Sequence, residues 1–95
     1  MMASVHLLEE TKRAEFQSRL KRIEGQSRGI QRMIDEGRDC LAVIDQVAAA
    51  KAAMNALSVD MIETFAMYCL RNPGEFPNAE AAVEHAVKAI VRSGR

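Results

Sequence analysis

The sequence predicts an all-α protein with three helices in each protomer. Helix-forming residue types dominate its 95 residues, among them Ala, Met, Leu, Glu, Arg and Ile. The five Gly and two Pro are few and clustered, which disfavours architectures built from short strands and turns. Apolar residues recur at spacings of three and four, the period of one helical face. At this length we expect one domain over residues 1–95.

The first helix is predicted over about residues 7–36, where one apolar stripe keeps the helical period. Its members are Phe16, Leu20, Ile23, Ser27, Ile30 and Ile34. Gly25 and Gly29 interrupt the helix at roughly 1 kcal/mol each relative to Ala, which makes sense where another backbone comes close. Gly37 is a good stop signal for this helix.

The second helix is predicted over about residues 40–71, with Asp39 as its N-cap. Its broad apolar face contains Leu41, Ile44, Val47, Ala48, Met54, Leu57, Met61, Ile62, Phe65, Tyr68 and Cys69. After a stretch rich in Pro, Gly and Asn, Asn78 can cap a third helix over about residues 79–92. The apolar face predicted for that helix contains Ala82, Val83, Ala86, Val87, Ile90 and Val91.

Two helices of about 30 residues, each about 45 Å long, cannot enclose a compact core by themselves. The usual solution is to pair two such hairpins into an antiparallel four-helix bundle. We therefore predict an obligate homodimer, and two such dimers could pair again into a tetramer.

The formal charge is zero, so no global field indicates a nucleic-acid partner, although basic residues concentrate in residues 12–32. The first eight residues lack the pattern of a signal peptide, and no stretch approaches the ~20 apolar residues that span a bilayer. We expect a cytoplasmic protein without a membrane partner. In a reducing compartment, its two cysteines would not form a permanent disulfide.

Cys40 and Cys69 stand near opposite ends of the second helix, roughly 43 Å apart if that helix is straight. They would meet only if the helix packs antiparallel against its copy across a two-fold axis. The alternative is that both are buried small hydrophobic residues, since free Cys is among the most buried residue types.

The segment "RLKRIEGQSRGIQRMIDEGRDC", ending at Cys40, followed by "LAVIDQVAAAKAAMNAL", resembles the copper-sensing operon repressor (CsoR-like) family. That family also includes repressors that respond to nickel or cobalt, to formaldehyde and to persulfides. The resemblance covers about two thirds of the chain. It implies an all-helical, disc-like tetramer that binds operator DNA and releases it when the sensor site reacts. It does not imply an enzyme.

Within that family, the residue at position 65 separates the branches. Copper-sensing members have a histidine at the position of Phe65, between cysteines matching Cys40 and Cys69, and Phe65 has no lone pair to offer. Nickel and cobalt members have a histidine where this chain has Cys69. Formaldehyde-responsive members use an N-terminal proline, which this chain lacks. His6 and His85 match no ligand position, so we assign them no metal.

The pattern of cysteine, non-histidine and cysteine resembles the persulfide-sensing branch, which needs neither metal nor other cofactor. Cys40, at a helix N-terminus whose dipole favours a thiolate, is the better first nucleophile, although Asp39 opposes this effect. Cys69 suits the resolving role, in which it attacks the persulfide to give a disulfide or longer sulfur bridge. Phe65 would pack over the pair. The alternative is a Cu(I) sensor using the same two thiolates.

Basic residues on the first helix are candidates for DNA contacts. Lys21, Arg28 and Arg32 fall within about 40° of one another on the helix. Most such runs are solvated charged faces, but the resemblance makes these and several further residues phosphate-contacting candidates. The full candidate set is Arg19, Lys21, Arg22, Arg28, Arg32 and Lys51.

Two other classes remain as competing hypotheses. A thiol enzyme such as a sulfurtransferase would need a nearby His base or a C-x-x-C motif, and the sequence places neither beside its cysteines. A purely structural helical adaptor would show no DNA binding at low salt.

Overall fold

The computed structural model describes residues 4–93, and helices are the regular elements within that range. In chain order these are a 3₁₀ turn at Val5–Leu7, α1 at Glu10–Asp35, α2 at Cys40–Arg71, a 3₁₀ turn at Pro73–Glu75 and α3 at Ala79–Ser93. The predicted all-α class and the three helices are confirmed. The ends of the predicted domain, residues 1–3 and 94–95, lie outside the described residues.

The first helix begins later than predicted because the residues before it form a separate turn. The Ser4 hydroxyl oxygen accepts a hydrogen bond from the His6 N–H at 3.1 Å, and Leu8 then adopts an extended conformation. The α-helical pattern starts only when the Arg13 N–H reaches the Glu9 carbonyl at 3.0 Å. Ser4 is a competent cap for a short turn, which local pattern alone does not separate from the helix that follows.

The connection between α1 and α2 forms as the sequence predicts. Gly37 has a φ of +68°, the left-handed conformation that glycine adopts at least cost. Around it the Arg38 N–H donates to the Met33 carbonyl and the Gly37 N–H to the Ile34 carbonyl, which is the Schellman pattern. The Asp39 carboxylate then accepts the Ala42 N–H at 3.1 Å and caps α2.

The connection from α2 to α3 is short and carries several local hydrogen bonds. The Asn72 side-chain amide donates to the Tyr68 carbonyl at 3.0 Å, which satisfies a group at the end of α2. The Asn78 side-chain oxygen accepts the Ala81 N–H at 2.7 Å, so the predicted N-cap of α3 is confirmed. This connection carries Phe76, which is buried.

The chain divides into two compact units, which are described separately. The terminal unit comprises Met1–Arg13 with Ser58–Arg95, and the central unit comprises Ala14–Leu57. A buried cluster forms the core of the terminal unit, and Phe65 and Ala81 pack against it. Its members are Ala66, Cys69, Phe76, Ala82 and Ala86.

The packing side of α3 is narrower than the sequence predicts. Ala82 and Ala86 are buried, whereas the valines and isoleucine expected on the same face are about half exposed. These exposed residues are Val83, Val87, Ile90 and Val91. Alanine and valine are both apolar, so the periodicity identified an apolar helix but did not separate its alanine side from its valine side.

The central unit leaves much of its apolar surface uncovered. Phe16 and Leu57 are buried, but the first turns of α2 expose a row of large apolar side chains, with Leu41 at 70 % exposure. The row continues through Ile44, Val47 and Met54. On α1, Ile34 at the end of the predicted stripe is exposed as well. This is the open seam from which the sequence predicts a second copy, and that assembly stays a prediction.

The two glycines within α1 face open space in the protomer. A Cβ atom built on Gly25 or Gly29 would meet nothing within 4 Å. The predicted close approach of another backbone is therefore not made within this chain. Because the space is open, the approach stays a prediction for the assembled protein.

Helix α2 is long and apolar enough to cross a membrane, judged by length and composition. Its 32 residues include an 18-residue window with a mean hydropathy of 1.3, of which 6 % is buried inside the protomer. From the sequence we expected no segment that is long and apolar enough to span a bilayer, and α2 differs from that expectation. Core helices of soluble proteins pass the same test, and α2 carries Asp45, Lys51 and Asp60 at intervals along its length.

Candidate functional site

Cys69 lies in the last turns of α2 and is 0 % exposed. It sits inside the apolar cluster of the terminal unit, and Phe65, one turn earlier on the same helix, packs against that cluster. The predicted place of Phe65 over a Cys40–Cys69 pair stays a prediction. Neither side chain lies on an open surface, so a reagent in solvent meets Cys40 before it meets Cys69.

The cover over Cys69 comes from the segment that follows α2. Phe76 from the connection, with Ala82 and Ala86 from α3, completes the cluster around the thiol. Truncating a buried Phe to Ala costs about 3–5 kcal/mol, while a buried methyl contributes only about 0.8 kcal/mol. Phe76 is therefore the main anchor of this cover. Its ring also lies 5.1 Å from the His85 ring, centroid to centroid, at an angle of 37°.

Burial makes Cys69 a poor thiolate in the resting protein. The apolar surroundings raise the pKa of the Cys69 thiol above its ordinary value of 9.0. Burial also raises the pKa of the neighbouring Tyr68 hydroxyl, and the negative groups Glu75 and Cys69 add to that effect. The raised pKa disfavours the nucleophilic thiolate form of Cys69. The resolving role predicted for Cys69 requires its thiolate, so this burial opposes that role in the protomer, and the role stays a prediction.

Cys40 has the opposite environment. It is the first residue of α2, belongs to the central unit and is exposed. The carboxylate of the preceding Asp39 is engaged in capping the helix through the Ala42 N–H. Both cysteines are free thiols. Their pairing across two protomers stays a prediction.

Potential metal ligands do not gather within the described part of one protomer. Among residues 4–93, no three His, Cys, Asp or Glu side chains are placed to hold one ion. His6 is exposed in the first 3₁₀ turn, and His85 faces Phe76. A metal held by Cys40 and Cys69 would require residues from two protomers.

The six candidate DNA-contacting residues all fall in the central unit, the unit that also holds Cys40. Five of them are exposed, and Arg19 is half-buried. Arg28 donates to the Glu24 carboxylate one turn earlier at 3.0 Å, a surface pair of small energetic weight. The exposed members are Lys21, Arg22, Arg28, Arg32 and Lys51. A basic surface is therefore present, and its role stays a prediction.

The terminal unit also has a half-open groove of about 510 Å³, lined on one side by Lys12, Asp60, Tyr68 and Arg71. The Lys12 ammonium lies 3.6 Å from the Asp60 carboxylate, and Thr64 donates to that carboxylate at 3.3 Å. Neither cysteine lines the groove. It therefore gives no direct access to the buried thiol.

The cover over Cys69 was not found from the sequence. Phe76 lies in a connection rich in Pro, Gly and Asn, where a single aromatic residue gives no periodic signal. The spacing of Ala82 and Ala86 by one helical turn was the available signal, since it places two small residues on one side of α3. What that side covers depends on contacts between distant parts of the chain.

Comparison with known proteins gives a consistent picture. Residues 12–92 match the family model described as metal-sensitive transcriptional repressor. The copper-sensing transcriptional repressor CsoR of Bacillus subtilis is 38 % identical over 66 residues, which cover 70 % of this chain and 65 % of that protein. The copper-sensing transcriptional repressor RicR of Mycobacterium tuberculosis is 34 % identical over 79 residues, which cover 81 % of this chain and 82 % of that protein.

Two solved structures share the fold. The copper-sensing repressor CsoR with Cu(I) from Geobacillus thermodenitrificans superposes with a TM-score of 0.77 at 25 % identity, covering 100 % of this chain and 95 % of that chain. The nickel-responsive transcriptional regulator InrS superposes with a TM-score of 0.73 at 26 % identity, covering 98 % and 96 %.

These relatives are transcriptional repressors and not enzymes, as the sequence predicted. They include copper- and nickel-responsive proteins, and they do not distinguish the persulfide-responsive branch. The match spans more than half of the chain and includes the whole of α2 with both of its cysteines. The chain therefore belongs to the family of metal-sensitive transcriptional repressors, the CsoR-like family.

Proposed function

We propose that this protein is a cytoplasmic, operator-binding repressor that senses persulfides or polysulfides through Cys40 of one protomer and Cys69 of another. The observation that carries the proposal is Phe65. It fills the position one helical turn before Cys69 with a ring that has no donor atom, and that ring packs against the cluster holding the thiol. The proposed site then contains the exposed Cys40 thiol and the buried Cys69 thiol, with no third ligand one turn before Cys69.

The proposal requires an assembly, and the exposed apolar row on α2 supports one. Leu41, Ile44, Val47 and Met54 are each about half exposed or more in the protomer. Apolar surface of this kind is covered in a stable soluble protein, here by a second copy that runs antiparallel. Two such dimers would form the tetramer. A second copy explains the apolar length of α2 without a membrane.

The sensing chemistry balances with a persulfide as the only oxidant. The Cys40 thiolate attacks the terminal sulfur of R–S–SH, which gives Cys40–S–SH and releases the thiolate RS⁻. The Cys69 thiolate of the other protomer then attacks the Cys40 sulfur, which forms the Cys40–Cys69 disulfide and releases HS⁻. If both cysteines are persulfidated first, the same attack by a terminal sulfur gives a trisulfide and HS⁻.

Crosslinking two protomers would alter the central unit, which holds both Cys40 and the candidate DNA-contacting residues. In the reduced assembly the exposed basic side chains of α1 would contact operator phosphates. In the crosslinked assembly α2 is held at both ends, and the basic residues of paired protomers no longer match the spacing of the phosphates. The two sites are then coupled through one helical assembly.

The second candidate is a Cu(I)-responsive repressor that uses the same two cysteines. It is favoured by the copper-sensing relatives. Two thiolates can hold Cu(I), since soft sulfur ligands select that ion, and the ion would draw Cys40 and Cys69 together in place of a sulfur bridge. The residues present fit a two-ligand site and do not fit a three-ligand one, because Phe65 offers no lone pair.

Mass spectrometry separates the two candidates. The reduced protein is treated with a low-molecular-weight persulfide, and in parallel is titrated anaerobically with Cu(I). Each sample is tested for binding to an operator duplex selected from a random-sequence library. A covalently linked protomer pair that has lost DNA binding supports persulfide sensing.

A tight stoichiometric Cu(I) complex that releases DNA, together with unlinked protomers after persulfide treatment, would establish copper sensing instead. Failure to bind any selected duplex at low salt would favour a structural adaptor. Catalytic turnover of the persulfide with a thiol acceptor would indicate a sulfurtransferase. Cys40→Ser and Cys69→Ser are useful controls for the crosslink, although neither variant distinguishes the two inducers.

A further inference from the structure

We propose that the segment after α2 is a gate that controls access to Cys69. This gate, called the α3 cap, comprises the Pro73–Glu75 turn, Phe76 and α3. It must open locally before Cys69 can react with a second protomer, so the exposed Cys40 reacts first. The ordered reaction rests on the proposed function, whereas the gating of Cys69 holds for any thiol reagent.

The first support is steric. Cys69 is 0 % exposed, and the residues that complete its surroundings belong to the cap, namely Phe76 at 7 %, Ala82 at 1 % and Ala86 at 2 %. Attack on a persulfide requires the two sulfur atoms to come into bonding distance along a free approach. No such approach exists while the cap is closed, and the groove of this unit does not reach the thiol.

The second support is that the cap is built to open without unfolding the rest of the protein. Its contact with the core uses three alanines, Ala81, Ala82 and Ala86, and one phenylalanine, so little apolar surface holds it in place. The valines and isoleucine of α3 are about half exposed, and they are not members of the buried cluster. Elements with few buried apolar contacts open locally before the global transition.

The third support is the way the cap is fastened to the chain. Asn72 closes the end of α2 through the Tyr68 carbonyl, and Asn78 starts α3 through the Ala81 N–H. Both caps are local hydrogen bonds that persist when α3 moves away from α2. The connection between these two asparagines can therefore serve as a hinge, and Phe76 is the anchor that an opening motion must withdraw.

The test is alkylation of the reduced, full-length protein by iodoacetamide at pH 8, with each cysteine followed by peptide mass spectrometry. The rate at Cys69 is compared with the rate in urea-unfolded protein. We expect the closed cap to protect Cys69 by at least about tenfold. Phe76→Ala should raise the Cys69 rate by at least about tenfold and leave the Cys40 rate within about twofold.

The matched control is Val83→Ala, which removes apolar atoms of similar kind from the exposed side of α3. It should leave both alkylation rates unchanged within about twofold. Full reactivity of Cys69 in the folded wild-type protein would overturn the proposal. So would a folded Phe76→Ala variant whose Cys69 stays as protected as in the wild type.

If Phe76→Ala fails to fold, measurements on the wild-type protein still test the proposed gate. The Cys69 alkylation rate and hydrogen exchange of the α3 amides are measured at urea concentrations below global unfolding. Local opening predicts that both share one shallow urea dependence. A Cys69 alkylation rate that depends on urea concentration as steeply as global unfolding does would refute the gate.

These outcomes are distinguishable from failure of the proposed function. Loss of crosslinking by persulfide, with Cys69 still protected from iodoacetamide, would remove persulfide sensing and leave the gate standing. If both hold, persulfide treatment of Cys69→Ser should modify Cys40 at the wild-type rate, whereas treatment of Cys40→Ser should leave Cys69 unmodified over the same time.

Discussion

The two ends of α2 present the same side chain to different environments. In the central unit Cys40 is exposed at the start of the helix, beside a row of uncovered apolar residues. In the terminal unit Cys69 is sealed among Ala66, Phe76 and the alanines of α3. The comparison shows that the protomer completes the surroundings of Cys69 and leaves Cys40 exposed.

The largest effect is expected from a substitution in the exposed apolar row beside Cys40, and it should appear in the assembly of the protein. Leu41→Glu places a charge in the apolar row, while a glutamate in the first turn of α2 suits the helix N-terminus. Burying that charge at an interface would weaken assembly by at least about a hundredfold. Sedimentation or light scattering should therefore show a shift from the proposed wild-type assembly toward smaller species.

Gln46→Glu is the matched control for this change, since it adds the same charge at an exposed polar position of the same helix. We expect its mass in solution to equal that of the wild type. A Leu41→Glu protein that keeps the wild-type mass would show that the row is not an interface.

The next largest effect distinguishes the two thiols directly. Cys69→Ser puts a hydroxyl into the dry cluster and should lower the free energy of unfolding by about 1–3 kcal/mol. Cys40→Ser, at an exposed position, should change it by less than about 0.5 kcal/mol. Chemical denaturation under reducing conditions measures both, and equal effects would mean that the assembly buries Cys40 as deeply as Cys69.

A smaller effect is expected at the basic residues of the central unit. Lys21→Ala removes one exposed cation from α1 and should reduce the slope of log K against log salt concentration by about 1 for each copy that contacts a phosphate. Lys88→Ala removes a cation from α3, where it lies 3.2 Å from the Glu84 carboxylate. We expect Lys88→Ala to leave this slope unchanged when DNA binding is measured by fluorescence anisotropy. A reduction of the slope equal to that of Lys21→Ala would assign DNA contacts to both units.

The smallest effect is a dependence of stability on pH. Because burial raises the pKa of the Cys69 thiol above 9.0, the unfolded chain loses this proton at a lower pH than the folded chain. The contribution is fully present below pH 9 and is lost as the pH rises through the folded-state pKa. The raised pKa of Tyr68 acts in the same direction at higher pH.

Urea denaturation between pH 7.5 and 10.5 measures this dependence. Cys69→Ala should flatten the decline in the free energy of unfolding, and Tyr68→Phe should flatten only its upper part. An unchanged slope in Cys69→Ala would mean that the thiol titrates normally and that the cluster is wet.

Local sequence rules predicted the parts of this fold that depend on neighbouring residues. Gly37, Asp39 and Asn78 end or begin helices where their conformational and capping preferences place them. The same rules extended α1 too far, because the Ser4 turn before it competes for the same backbone groups. Regular periodicity and caps therefore gave reliable bounds for α2 and α3.

The surroundings of Cys69 could not be predicted in that way. Phe76 and Ala86 follow α2 in the chain and pack against its last turns. A local sequence pattern does not predict contacts of this kind between different elements. Phe65 was found because it shares a helix face with the cysteine. The residues of the cap share no element with it, so only the three-dimensional structure identifies them.

The small size of the alanines on the inner side of α3 has a practical consequence. A larger side chain at Ala82 or Ala86 would push α3 away from the cluster, and a smaller side chain at Phe76 would weaken the contact of the cap with it. If the proposed gate controls the response, the delay between exposure to an inducer and release of DNA would depend on side-chain volume at these three positions of the terminal unit. A family of reporters with graded response times could be made from this chain by changing those volumes alone.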